Sequence, residues 1–81
     1  MKNVDDYIKE EQSLIDLQFK LIEKIIQIRK EKGYSQRSLC NKIGMKQPYL
    51  VRIETKKIIP SMNTLLRIID ALDCTIEIIE K

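Results

Sequence analysis

Seven basic side chains crowd the middle of this 81-residue chain: Arg37, Lys42, Lys46, Arg52, Lys56, Lys57 and Arg67. Over residues 35–67 they are opposed by Glu54 alone, a net of +6. Residues 1–34 carry seven basic and seven acidic side chains, and residues 68–81 set Lys81 against Asp70, Asp73, Glu77 and Glu80, a net of −3. A cationic stretch between neutral and acidic flanks is what a phosphate-binding face requires. Charge alone is equally consistent with a solvated basic surface. Catalysis fits poorly. The chain has no histidine, no glycine-rich phosphate loop, and no clustered acids beyond the solvated Asp5-Asp6 and Glu10-Glu11. Cys40 and Cys74 form no CxxC pair, and two thiolates alone are too few for a zinc site. Cys40 also falls at a core position by spacing, where a thiol is inert. The expectation is a protein that is not an enzyme and holds neither metal nor cofactor.

The elements that must position these cations can be read from periodicity. Leu14, Leu17, Leu21, Ile25 and Ile28, with Ile15, Ile22 and Ile26 beside them, form a broad apolar stripe on a long helix. Ser13-Leu14-Ile15-Asp16 fits a capping box, which predicts a start there. Val4, Tyr7 and Ile8 predict a turn or two of helix upstream, continuous with it or not. Gly33 supplies the stop. Ser35 then caps a short helix from Gln36 to Lys42 with Leu39, Cys40 and Ile43 inward. Gly44-Met45-Lys46 is a tight turn, and Pro48 lies in the first turn of a third helix that buries Leu50 and Ile53. Residues 55–60 read as a basic loop. Ser61 caps a fourth helix with Leu65, Leu66, Ile68, Ile69 and Leu72 at core spacing. From Cys74 to Glu80 the period changes to two, a strand signal. A lone strand beside helices has no partner within the chain. The simplest partner is the same strand of a second copy, as an antiparallel ribbon across a twofold axis; the alternative is a frayed or helical tail.

Length and composition bound the rest. A chain this short buries only about 60–65% of its unfolded surface, so a partner subunit is the expected support. No apolar run approaches the ~18–20 residues that span a bilayer. The first residues lack a signal core, so the expectation is a cytoplasmic protein with reduced thiols.

Gln36 to Glu54 holds the spacing of a helix-turn-helix. Cys40 is small where two helices cross, Gly44 permits a left-handed turn, and Leu39, Ile43, Leu50 and Ile53 form the wedge between them. With Arg29 through Gln36, Lys42-Ile43-Gly44, Gln47, Arg52-Ile53-Glu54, and Pro60-Ser61 through Leu65-Leu66, the chain resembles the Xre/Cro/C1-type helix-turn-helix proteins over roughly residues 25–73. Cys40 stands where alanine is usual, Lys46 where a capping Ser or Thr is usual, and Lys56 and Asp73 where glycine is common. The Lys46 change should weaken the helix cap by about 1 kcal/mol. The resemblance implies an all-α, lambda-repressor-like bundle of four to five helices with a C-terminal β-strand that pairs in a dimer. Its expected parts are a helical extension over 1–12, a DNA-binding domain over 13–73 and a dimerisation strand over 74–81.

The resemblance also implies roles. Gln36 would bond a phosphate and brace Gln47. Lys46, Gln47, Tyr49 and Arg52 would face the major groove, Gln47 suiting adenine and Arg52 guanine. Tyr49 would touch a thymine methyl or a phosphate, or be a half-exposed ring. Thr55, Lys56 and Lys57 would hold the DNA backbone; Arg37 and Lys42 have weaker claims. Arg29 and Glu54 would pair, locking the first helix to the third. Thr75, Ile76, Glu77 and Ile78 would carry dimerisation. The extension and terminal strand together resemble antitoxins of the HigA and HipB types. That resemblance implies a repressor of its own operon, bound as a homodimer to an inverted repeat in double-stranded DNA and partnered by a toxin protein. The alternative is a free-standing or phage-like repressor. Tyr7, Ile8, Leu14 and Phe19, spare after core packing, are the apolar residues left to dock a partner.

Overall fold

A computed structural model describes residues 4–80, with side chains from residue 9 onward. Four helices follow in order: α1 (Val4–Glu31), α2 (Gln36–Ile43), α3 (Gln47–Glu54) and α4 (Met62–Ala71). Their inner faces meet in one core of Ile22, Ile25, Leu39, Cys40, Leu50, Ile53, Ile68, Ile69, Ala71 and Leu72. Four or five helices were expected, and four are present among the described residues.

The first helix is longer than its expected cap allows. It runs unbroken for 28 residues, so Ser13 lies in its interior. No glycine or proline interrupts residues 4–12, and capping needs an extended backbone that a mid-helix serine does not have. The neighbouring Gln12 amide donates instead to Asp16, one turn on, at 3.0 Å. The stop at Gly33 takes the left-handed form, φ 80°. There Gly33 N–H donates to the Lys30 carbonyl and Tyr34 N–H to that of Arg29, each at 3.0 Å.

Only the second half of the α1 stripe is used by the core. Ile22 and Ile25 are buried, with Leu21, Ile26 and Ile28 packed at the edge. Leu14 and Leu17, expected on the same buried face, are 61% and 63% exposed. From residue 9 to residue 18 every side chain but that of Ile15 is exposed. The three short helices are too small a body to cover a rod of about 42 Å, so the stripe outlasts what lies opposite it. The side chains of Val4, Tyr7 and Ile8 lie outside the described residues.

Local chemistry builds the remaining helices. The Ser35 hydroxyl accepts from Ser38 N–H at 3.0 Å, and Ser38 Oγ returns the favour to Ser35 N–H at 2.9 Å. Gly44, at φ 69°, ends α2 and turns the chain through a Met45 N–H to Cys40 carbonyl bond of 2.9 Å. Helix α3 starts at Lys46 with no side-chain cap and with Pro48 in its first turn. Ser61 caps α4 by accepting from Thr64 N–H at 3.2 Å. Leu66, expected in the core, is half exposed; it shares the outward side of α4 with Met62, whereas Leu65, Ile68, Ile69 and Leu72 turn inward.

The expected terminal strand is not formed. Residues 74–80 have no ladder among the described residues. Cys74 still belongs to the body, its N–H donating to the Ile69 carbonyl at 3.1 Å. Beyond it Ile78 is almost fully exposed and Ile76 and Ile79 largely so. The physical reason is the one that singled the segment out: a strand needs a second strand for its N–H and C=O groups, and one chain supplies none. Lys81 lies outside the described residues.

Candidate nucleic-acid interface

Five side chains of α3 and the turn after it converge on one open concavity. Gln47, Pro48, Val51, Arg52 and Thr55 line it, with Lys57 from the following loop. The spacing explains the set. Positions 47, 51 and 55 lie one turn apart, as do 48 and 52, so all five share a face roughly opposite the buried Leu50 and Ile53. Gln47 and Arg52 are exposed there, while Val51 is half-buried. Thr55 ends the helix, its hydroxyl donating to the Val51 carbonyl at 2.7 Å, and Lys57 N–H donates to the Arg52 carbonyl at 2.9 Å. That bond fixes the loop on the last turn of α3 and brings Lys57 beside Arg52.

Lys46 and Tyr49, expected to face the same way, do not line the concavity. Lys46 is exposed at the mouth of α3. Tyr49 is 37% exposed and sits on the rim between Arg52 and the buried Ile53, two residues round the helix from Gln47. Pro48 and Val51 were not among the expected site residues. The i, i+4 step from Gln47 to Val51 and Pro48 to Arg52 is the signal that would have found them.

A buried junction holds this face in place. Arg29 Nε donates to Glu54 Oε2 at 2.8 Å and Nη2 to Oε1 at 2.9 Å, a two-pronged pair with both side chains under a tenth exposed. The remaining prong, Nη1, donates to the Tyr34 carbonyl at 2.8 Å. Gln36 Nε2 donates to Glu54 Oε1 at 3.0 Å. One carboxylate at the end of α3 thus gathers the last turn of α1, the loop before α2 and the first residue of α2. Gln36 braces Glu54 here, whereas the expectation was a brace on Gln47. Buried beside this junction, Cys40 has its thiol pKa pushed up, chiefly by desolvation, with the Glu54 carboxylate adding to it and Arg29 opposing. A thiol so placed is packing material.

Several cations of the basic segment are occupied elsewhere. Lys42 Nζ donates to the Tyr34 hydroxyl at 2.9 Å and to the Ala71 carbonyl at 2.5 Å. Its pKa is raised, first by the Tyr34 hydrogen bond and then by Asp73 and Asp70. Lys32, in the turn after α1, donates to the Leu72 carbonyl, so two lysines from outside α4 serve its open C-terminal carbonyls. Arg67 does the same for α2, donating to the Ile43 carbonyl at 2.7 Å. Lys56, at a left-handed φ of 64°, turns away from the concavity to Glu23 of α1 at 2.5 Å and lies 5.5 Å from the centre of the Phe19 ring. Arg37, Lys46, Arg52 and Lys57 remain exposed. Of these, Arg52 and Lys57 flank the concavity itself.

A family model described as helix-turn-helix matches residues 25–79, the stretch that holds this exposed face, the buried ion pair behind it and the glycine turn before it. The chain belongs to the helix-turn-helix family. Helix-turn-helix domains of this kind are those of DNA-binding transcription regulators. An uncharacterized HTH-type transcriptional regulator of Haemophilus influenzae is 36% identical over 64 residues, covering 79% of this chain. The match spans 65% of that relative, so the chain covers just under two thirds of its length. Among solved structures, a toxin–antitoxin module from Streptococcus pneumoniae superposes with a TM-score of 0.68 at 30% identity, over 99% of this chain and 93% of that one. No helix among the described residues is long and apolar enough to cross a membrane.

Proposed function

We propose that this helix-turn-helix protein is a sequence-specific transcriptional repressor that presents α3 to the major groove of DNA. The observation that carries the reading is the α3 concavity, where Gln47 and Arg52 stand exposed between Thr55 and the cation Lys57. Gln47 suits the N6/N7 edge of adenine and Arg52 the O6/N7 edge of guanine. Lys57, Thr55, Lys46 and Arg37 serve phosphates and set register. Lys56, drawn to Glu23, contributes less than its neighbour. A homodimer places two copies of α3 about 34–36 Å apart on an inverted repeat, with residues 75–78 of the two tails pairing as an antiparallel ribbon. The unpartnered isoleucines of the tail favour such pairing. Selection from a random duplex pool at low salt tests the reader: an enriched inverted repeat supports it, and recovery of the starting pool ends it.

The repressor acts as an antitoxin in this reading. The solved structure it resembles is described as a toxin–antitoxin module, and α1 carries a surface suited to a protein partner. Leu14 and Leu17 are exposed on its outer half, where residues 4–20 hold five acidic and two basic side chains. An acidic, leucine-bearing helix fits a basic protein with an apolar cleft. Co-expression with the adjacent open reading frame is the test. A neighbour that is toxic alone and neutralised by this chain supports the antitoxin role; a harmless neighbour leaves a free-standing repressor.

A further inference from the structure

The concavity on α3 is not uniformly polar. Between the hydrogen-bonding ends of Gln47 and Arg52 it carries two apolar side chains, Pro48 and Val51. Both are aliphatic, neither can donate or accept through its side chain, and Val51 is half-buried at the floor while Pro48 is exposed. A core role does not account for Val51, since α3 already buries Leu50 and Ile53 on its opposite side. Solvent is a poor neighbour for an apolar floor, and the flanking Arg52 and Lys57 favour a polyanion over a protein or a neutral ligand.

We propose that Val51, with Pro48 beside it, is a specificity-determining residue that reads the 5-methyl group of a thymine. This rests on the DNA-reading assignment above. The major-groove edge of B-DNA offers one apolar feature, the thymine methyl, and an aliphatic side chain is its complement. Val51 lies one helical turn from Gln47 on the same face and next in sequence to Arg52, so the thymine it reads belongs to the same half-site as the bases facing those two side chains. Cytosine at the thymine position leaves the valine facing an amino group with no partner, a mismatch in which a buried donor goes unpaired.

Deoxyuridine isolates the contact, because it keeps every hydrogen bond of thymine and lacks only the methyl. The experiment takes the duplex enriched from a random pool, replaces its thymines one at a time by deoxyuridine in both half-sites, and measures affinity for the natural protein and for Val51→Ala. Expected is one position per half-site where the replacement weakens natural protein about fourfold per methyl, the scale of one buried methyl group. Val51→Ala, with its thermal midpoint measured alongside to confirm that it is folded, should bind thymine and deoxyuridine there alike. Tolerance of deoxyuridine at every position by the natural protein overturns the inference while leaving the reader assignment standing. An equal penalty in Val51→Ala also overturns it, assigning the methyl to another residue. Failure to enrich any sequence removes the reader assignment and this inference together.

Discussion

The α3 face and the C-termini of α2 and α4 are both rich in cations, yet they put them to different uses. Around the C-termini of α2 and α4, Lys32, Lys42 and Arg67 are spent on backbone carbonyls that the helices leave open. On α3, Arg52 and Lys57 stand beside an open concavity. The sequence places Lys42, Arg67 and Arg52 in one basic segment of net +6, which overstates the charge available to a phosphate. A cation near a helix C-terminus can be held there by geometry and dipole together, yet Arg52, itself in the last turn of α3, lines the concavity instead. What distinguishes the regions is the acceptor within reach, which residue type does not encode.

The buried Arg29–Glu54 junction behind α3 is the place to break the comparison most severely. Glu54→Ala leaves Arg29 buried without its carboxylate, and Gln36 without its acceptor. Loss of one partner of a buried pair costs about 3–5 kcal/mol, which in a domain of this size lowers the thermal midpoint by well over ten degrees. A midpoint within two degrees of the natural protein would show that the pair braces nothing.

Next in size are the two cations of the concavity, which separate reading from holding. Arg52→Ala should remove about 1–3 kcal/mol of discrimination at one position of each half-site. Lys57→Ala should weaken all duplexes alike and reduce the slope of log affinity against log salt by about one per subunit. Binding titrations on specific and scrambled duplex at several salt concentrations resolve both. Equal losses for Arg52→Ala on the two duplexes would return that residue to the backbone-holding class.

The internally occupied cations sharpen the contrast from the other side. Arg67→Met and Lys42→Met should leave the salt slope unchanged and lower the thermal midpoint by a few degrees, because each strips a helix C-terminus of a donor. A salt slope that falls as far as in Lys57→Ala would place these side chains on the DNA. The smallest effect is the alkaline one. The folded-state pKa of Lys42 is raised, so its contribution is present below the ordinary lysine range and fades as pH rises through the folded value. Midpoints of the natural protein and Lys42→Met should therefore converge at strongly alkaline pH, and parallel curves would deny the linkage.

Much of the fold was legible because it is written in local chemistry. Ser35, Gly44, Pro48 and Ser61 each demand a particular backbone at their own position, and helices begin or end where they stand. The Ser13 cap failed because a capping pattern has force only where the helix would otherwise lack a start, and Gln12 and its upstream neighbours extend it. Leu14, Leu17 and Leu66 carry core spacing without core burial: periodicity tells which side of a helix is apolar, never how far the opposing surface reaches. Of the candidate site, Gln47, Arg52, Thr55 and Lys57 share the concavity, whereas Lys56 is diverted by Glu23, a residue 33 positions away that no local pattern connects to it. Val51 escaped notice for the opposite reason, since an apolar residue in a binding face resembles an ordinary core residue until the face is seen. The terminal segment alternates as a strand does, but a strand is a property of two segments.

Helix α1 passes from the buried junction to the exposed leucines without a break, and its stiffness has a mechanical meaning. Leu14 lies about 22 Å along the rod from Arg29, with no glycine or proline between them to act as a hinge. Any protein seated on the outer half is carried at a set distance and angle from α3. Whether such a passenger clashes with the duplex, bridges to it or clears it is decided by the direction of one rod.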